Sequence, residues 1–97
     1  VKQMVMDTYN RRQYVAAICA APLVFGHLGI LDGKKATCYP GTEPQLKGAT
    51  TTGAIVEVSD NVITSKGPGT AIAFALRMVE VLVGGDKAQE LKQKMLI

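Results

Sequence analysis

The chain has 97 residues, enough for one small domain at most. A hydrophobic share of 47% beside 20% charged residues excludes a disordered tail, and a net charge of +3 spread among eight acidic residues gives no electrostatic case for nucleic acid or a membrane surface as partner. Two Cys exclude a disulfide-dense secreted scaffold, and with a single His they fall short of a tetrahedral zinc site; no metal or cofactor is expected, and thiols without a disulfide framework point to a reducing compartment, the cytoplasm.

The chain opens on Val1 rather than Met, as expected of a processed or truncated polypeptide or of one piece of something longer. Val1 to Arg12 is polar and mixed in charge, unlike a signal peptide. Val1, Met4, Val5 and Thr8 stand at helical spacing, so this stretch reads as the end of a helix that starts upstream. Tyr14 to Ile18 is a short apolar run without alternation, the pattern of a central parallel strand covered on both faces. Cys19, Ala20 and Ala21 lead to Pro22, which suits a helix start because the first N–H groups there have no partner within the helix. A helix to about Leu28, stopped by Gly29, is predicted. Pro22, Gly26, His27 and Gly29 break Val15 to Leu31, which would otherwise come nearest to a membrane span.

Lys35 to Tyr39 reads as a second strand, ended by Pro40 and Gly41, and Thr42 to Gly53 as an irregular stretch with one helical turn. Ala54–Val58 and Val62–Ser65 are β-branched runs around Ser59, Asp60 and Asn61, a hairpin signal. A Gly-Pro-Gly turn at Gly67 to Gly69 then leads to Thr70, a good N-cap for a helix reaching Val83. Eleven of the fourteen residues from Thr70 to Val83 are apolar, so this helix is expected to be covered on most sides. Gly84 and Gly85 end it, and Asp86 is the expected cap of a last helix, with Gln89 at the capping-box position and Glu90–Lys94 as an i,i+4 pair. The order helix, strand, helix, strand, hairpin, helix, helix implies an α/β sandwich. A strand buried like Tyr14–Ile18 needs strands on both sides and helices on both faces. The chain offers few elements to cover it, so structural complement is expected from an N-terminal half, a partner chain or both.

Chemistry concentrates in Tyr14-Val-Ala-Ala-Ile-Cys19-Ala-Ala-Pro22. A buried strand that turns sharply through a nucleophile into a helix is a nucleophile elbow, and Ala16, Ala17, Ala20 and Ala21 keep its neighbours small. Cys19 then sits before a helix start, where the positive end of the helix dipole favours thiolate over thiol. The Ala20 N–H is placed to donate to a developing oxyanion. The competing reading is a small buried hydrophobe.

The stretches AAICAAP, GKKATCYPG and ITSKGPGTAIAFAL, in this order, resemble the ThiJ/PfpI superfamily, and its parkinsonism-associated deglycase-like branch more than its PfpI-type peptidases. The resemblance runs from about Tyr14 to Leu96. It implies a flavodoxin-like three-layer α/β sandwich with a mainly parallel sheet, usually a homodimer, of which residues 1–97 are the C-terminal portion of a single domain, the N-terminal half being absent or in another chain. It also implies that Cys19 is the reactive cysteine, prone to sulfinic oxidation in some members, and that Ala20 supplies an oxyanion amide. The carboxylate that bonds the cysteine in the family, and the glycine pair with the second oxyanion donor, come from earlier segments with no counterpart here. At the family's histidine position stands Tyr39, able to orient a substrate or donate a proton but a poor base near neutrality.

The remaining chemistry-bearing residues have plainer readings. His27 lies eight residues beyond Cys19, about 12 Å along a helix and about 80° round it, too far to act on the thiol directly. Cys38 is a resolving thiol for a Cys19 sulfenate if the two strands adjoin, and otherwise a core cysteine. Gly67-Pro68-Gly69-Thr70 lacks the Walker lysine and the G-x-G-x-x-G spacing, so it is a tight turn, bordering the cysteine pocket in the family, with Lys66 beside it as a solvated charge or an anion contact. Four functions follow: a glyoxalase- or deglycase-type enzyme for small reactive carbonyls, a non-catalytic redox sensor or stress chaperone, a PfpI-like peptidase, and a half-domain that only completes a fold.

Overall fold

The computed structural model describes residues 2–96. Helix α1 (Lys2–Asn10) leads through Arg12, in the left-handed region at φ 64°, to strand β1 (Val15–Ile18). Val1, the first residue of the expected helix, lies outside the described residues. The connection is held from the far end of the chain. Asn61 donates through Nδ2 to the carbonyls of Tyr9 (3.1 Å) and Gln13 (3.0 Å), while Val15 N–H donates to Asn61 O at 2.9 Å. A fork from Arg12 to Asp60 adds an exposed ion pair at 3.2 Å.

Helix α2 (Pro22–His27) is one and a half turns, with Pro22 at its first positions and Gly29 beyond it at φ 78°. Gly26 lies so close to the 3-10 turn Glu43–Gln45 that a Cβ there would stand 2.6 Å from Gln45 O. Strand β2 (Lys35–Ala36) is shorter than the Lys35–Tyr39 run predicts. It pairs in parallel with β3 (Thr50–Thr51), a strand inside the stretch read as irregular. Thr37 is diverted from any ladder because its N–H donates to the Thr64 hydroxyl (2.9 Å), a side-chain acceptor that replaces a strand carbonyl.

The hairpin is present as β4 (Val56–Ser59) and β5 (Val62–Ser65), antiparallel, with Asp60 at φ 54° in the turn. The principal sheet has the order β1-β5-β4, with β1 and β5 parallel and Val15, Ala16, Ala17 and Ile18 opposite Val62, Ile63, Thr64 and Ser65. Strand β5 lies between β1 and β4 and is buried at every position, while β1, expected between strands on both sides, has its one neighbour in β5 among the described residues. Among the described residues no strand pairs with the second edge of β1, and Ala16 is exposed. Small alanines make an apolar run without requiring cover, so burial there depends on neighbours in space.

Val15, Ala17 and Val62 form one core with Phe25 of α2, Ile30, Leu31, Ala36, Cys38 and Leu46, and Val5, Met6 and Tyr9 of α1 pack against it. Ile63 alternates to the opposite face, toward helix α3 (Ala71–Leu82). Helix α4 (Gly85–Lys94) packs on α3. The expected covering of α3 on most sides is not met within the described residues: Phe74 is its buried residue, while Ile72 and Leu82 are more than half exposed. Nor does Asp86 cap α4. Gly84 holds that position at φ 126°, and Asp86 lies in the first turn. Glu90–Lys94 does form, at 3.1 Å.

Candidate active site

Cys19 occupies the corner between β1 and α2 with φ 68°, a backbone region that non-glycine residues seldom occupy and that costs free energy. Both of its backbone polar groups are committed. Its N–H donates to Ser65 O at the end of β5 (3.0 Å), and its carbonyl accepts the Tyr39 N–H at 2.7 Å. The residue is half-buried and its thiol is free, while the next residue, Ala20, is exposed. Ala20 O accepts from Leu23 N–H (3.1 Å), which turns the chain into α2. Among the described residues no backbone carbonyl takes the Ala20 N–H.

Tyr39 is the second predicted site residue that this geometry brings to the corner. It lies beyond β2 rather than at a strand end, and its ring is half exposed. Its amide is spent on Cys19, and its carbonyl accepts both the Thr42 hydroxyl (2.7 Å) and the Thr42 N–H (3.1 Å). The ring lies along Gly67, whose added Cβ would be 3.6 Å from Tyr39 Cδ1. The Gly67–Thr70 turn thus borders the corner from the other side.

Cys38 belongs to the hydrophobic core rather than to the exposed corner. It is buried in the core with Phe25 and Leu31, and Thr42 Oγ1 lies 3.2 Å from its sulfur. The Thr42 hydroxyl thus has both Cys38 Sγ and the Tyr39 carbonyl within reach of its one proton. The core-cysteine reading of Cys38 accounts for this placement. His27 is exposed at the C-terminal end of α2, whereas Cys19 precedes its start. Among the described residues no three His, Cys, Asp or Glu side chains converge as metal ligands.

Two residues escape the sequence reading. Ser65 anchors Cys19 through its carbonyl, and its hydroxyl donates to Ile55 O at 2.6 Å and meets Thr70 Oγ1 at 2.7 Å. Thr70, read as a helix cap, makes no capping bond. Its hydroxyl accepts the Gly67 N–H (3.1 Å) and lies 2.8 Å from Gly67 O. The signal available was the pair of hydroxyls flanking Gly-Pro-Gly in Ser65-Lys-Gly-Pro-Gly-Thr70.

The model of the DJ-1/PfpI family matches residues 1–81. The chain belongs to the DJ-1/PfpI family. It is 44% identical over 85 residues to protein dj-1beta of Drosophila melanogaster, covering 86% of this chain and 46% of that protein. It is 42% identical over 79 residues to the glutathione-independent glyoxalase DJR-1.2 of Caenorhabditis elegans, covering 79% of this chain and 42% of that one. The solved structure of oxidized Toxoplasma gondii DJ-1 superposes with a TM-score of 0.91 at 34% identity, over 98% of this chain and 52% of the other. The α/β arrangement is thus that of the flavodoxin-like DJ-1/PfpI fold, and the chain spans about half the length of these relatives. No helix among the described residues is long and apolar enough to cross a membrane.

Proposed function

We propose that this DJ-1/PfpI chain carries the nucleophile of a cysteine-dependent enzyme acting on small reactive carbonyls or their adducts, of glyoxalase or deglycase type. The supporting observation is Cys19, held at φ 68° on the sheet-to-helix corner with a free, half-buried thiol and the Ala20 N–H beside it. The Cys19 thiolate attacks the aldehyde carbon. A C–S bond forms, the C=O π pair moves to oxygen, and the Ala20 N–H donates a hydrogen bond to that oxyanion, which takes a proton from water to give a hemithioacetal. For methylglyoxal the net change to lactate is addition of one water with an internal shift of hydrogen, so no external oxidant is required. Tyr39, bonded through its N–H to the Cys19 carbonyl, orients the second carbonyl. The glyoxalase among its relatives supports the substrate class.

The N-terminal half of the fold, from the same protein or a second chain, is proposed as the partner that lies along the free edge of β1 and supplies the carboxylate next to the thiol. Homodimerisation and a cytoplasmic location belong to the same proposal. In the complete domain, lactate formation from methylglyoxal is expected to vanish in Cys19→Ala. Equal rates in variant and wild type would remove the proposal.

A second reading, a redox sensor or stress chaperone, is favoured by the unequal placement of the two thiols, Cys19 half-buried and Cys38 enclosed. Intact mass after dilute peroxide is expected to show a two-oxygen adduct confined to Cys19, and oxygen spread over the methionines counts against it. A peptidase mechanism receives little support, because Tyr39 stands at the corner and His27 lies at the far end of α2.

A further inference from the structure

We propose that Thr70, with Ser65, is a positioning residue that sets the reactive geometry of Cys19; this rests on reading Cys19 as the nucleophile. A left-handed, non-glycine residue persists only where its surroundings over-determine it. Cys19 is held through two backbone bonds, one to Ser65 O and one from Tyr39 N–H. Both of those anchors lean on the same turn. Ser65 meets Thr70 through its hydroxyl at 2.7 Å, and the Tyr39 ring lies on Gly67, whose N–H and carbonyl both face the Thr70 hydroxyl at 3.1 and 2.8 Å. One side-chain oxygen therefore ties together the two supports of the nucleophile, although Thr70 is far from Cys19 in sequence.

Proton counting shows how tightly the cluster is drawn. Ser65 and Thr70 bring two hydroxyl protons to three acceptor contacts: Ile55 O at 2.6 Å, Gly67 O at 2.8 Å and the mutual O···O contact. With the Ser65 proton on Ile55 O, the Thr70 proton is shared between Ser65 Oγ and Gly67 O. Removing the Thr70 hydroxyl leaves the Gly67 N–H without an acceptor and frees the turn from β5. The Tyr39 ring then loses its backing, and the Cys19 corner relaxes toward ordinary extended geometry, moving the sulfur from the position that the left-handed corner gives it.

The test uses the complete domain, N-terminal half included, and reads the rate of Cys19 alkylation by iodoacetamide at the Cys19 peptide, alongside kcat and KM for methylglyoxal. Thr70→Val keeps shape and removes the hydroxyl, Thr70→Ser restores it, and Ser65→Ala removes its partner. Phe25→Leu, in the core away from the turn, controls for stability. Thr70→Val is expected to lower alkylation and kcat about tenfold with KM little changed, Thr70→Ser to restore both, and Phe25→Leu to lower the denaturation midpoint without slowing alkylation. A folded Thr70→Val that alkylates at the wild-type rate overturns the proposal, as does a loss no larger than that of Phe25→Leu. Should Thr70→Val not fold, Ser65→Ala decides, and a wild-type rate there overturns it equally. Because alkylation is read without turnover, failure of the carbonyl activity in wild type is distinguishable from failure of the positioning role.

Discussion

At Cys19 a side chain is made available by a backbone that resists it. The left-handed conformation is unfavourable for any residue with a Cβ, so part of the stability of the strand-to-helix corner is stored as strain. Cys19→Gly is therefore expected to be more stable than Cys19→Ala by about 1 kcal/mol, against the usual order for the two residues; equal thermal unfolding of the two variants would show that no strain is held there. Gly26 presents the opposite case, a residue whose missing side chain makes contact possible. With Gln45 O at 2.6 Å from an added Cβ, Gly26→Ala must push the Glu43–Gln45 turn off α2. The expected loss is about 2 kcal/mol, read as a lower urea midpoint. Cys19 was legible from its small neighbours and the proline three residues on. Ser65 was not, because its contribution is a carbonyl, and every residue type has one.

At the scale of elements, the hairpin and its tip connect parts of the chain that local pattern treats separately. The Asn61 amide is buried and spends both its protons on the carbonyls of Tyr9, in the last turn of α1, and Gln13, in the connection to β1, while its Oδ1 has no hydrogen-bond partner among the described residues. Asn61→Asp replaces those donors with an acceptor facing two carbonyls, so about 3 kcal/mol of stability is expected to be lost, with α1 amides exchanging before the rest in hydrogen-exchange measurements. Uniform loss of protection would remove this role for Asn61. Helix α3 hangs on the sheet mainly through Phe74, and Phe74→Ala is expected to cost about 3 kcal/mol in chemical denaturation. Period and turn residues foretold α1, α2, the hairpin and α3 to within a residue or two. They failed at β2, where a side-chain hydroxyl on another strand captures the Thr37 N–H. They failed also at β3, where two exposed threonines carry no apolar pattern.

For the whole molecule the question is cover. Among the described residues β1 has a free edge, Ala16 is exposed, and Ile72, Leu82 and Val83 stand more than half in solvent. Exposed apolar residues on a helix that reads as buried call for a further layer. Prepared alone, the 97-residue chain is expected to bind a hydrophobic dye and to unfold over a broad range. Addition of the N-terminal half of the fold should suppress dye binding and sharpen the transition. A sharp transition and no dye binding for the chain alone would show that it needs no complement.

The helices, β1, the hairpin, the family and the identity of the candidate nucleophile follow from the sequence by itself, because they rest on local signals: apolar period, turn residues, and small residues around a cysteine. That Thr50 and Thr51 form a strand, which side of α3 meets water, and which hydroxyls meet at the turn beside the Cys19 corner were decided only in three dimensions. Those depend on what lies across the sheet from a residue, and hydrogen bonds between Tyr39 and Cys19 or between Asn61 and Tyr9 join positions whose separation along the chain carries no pattern.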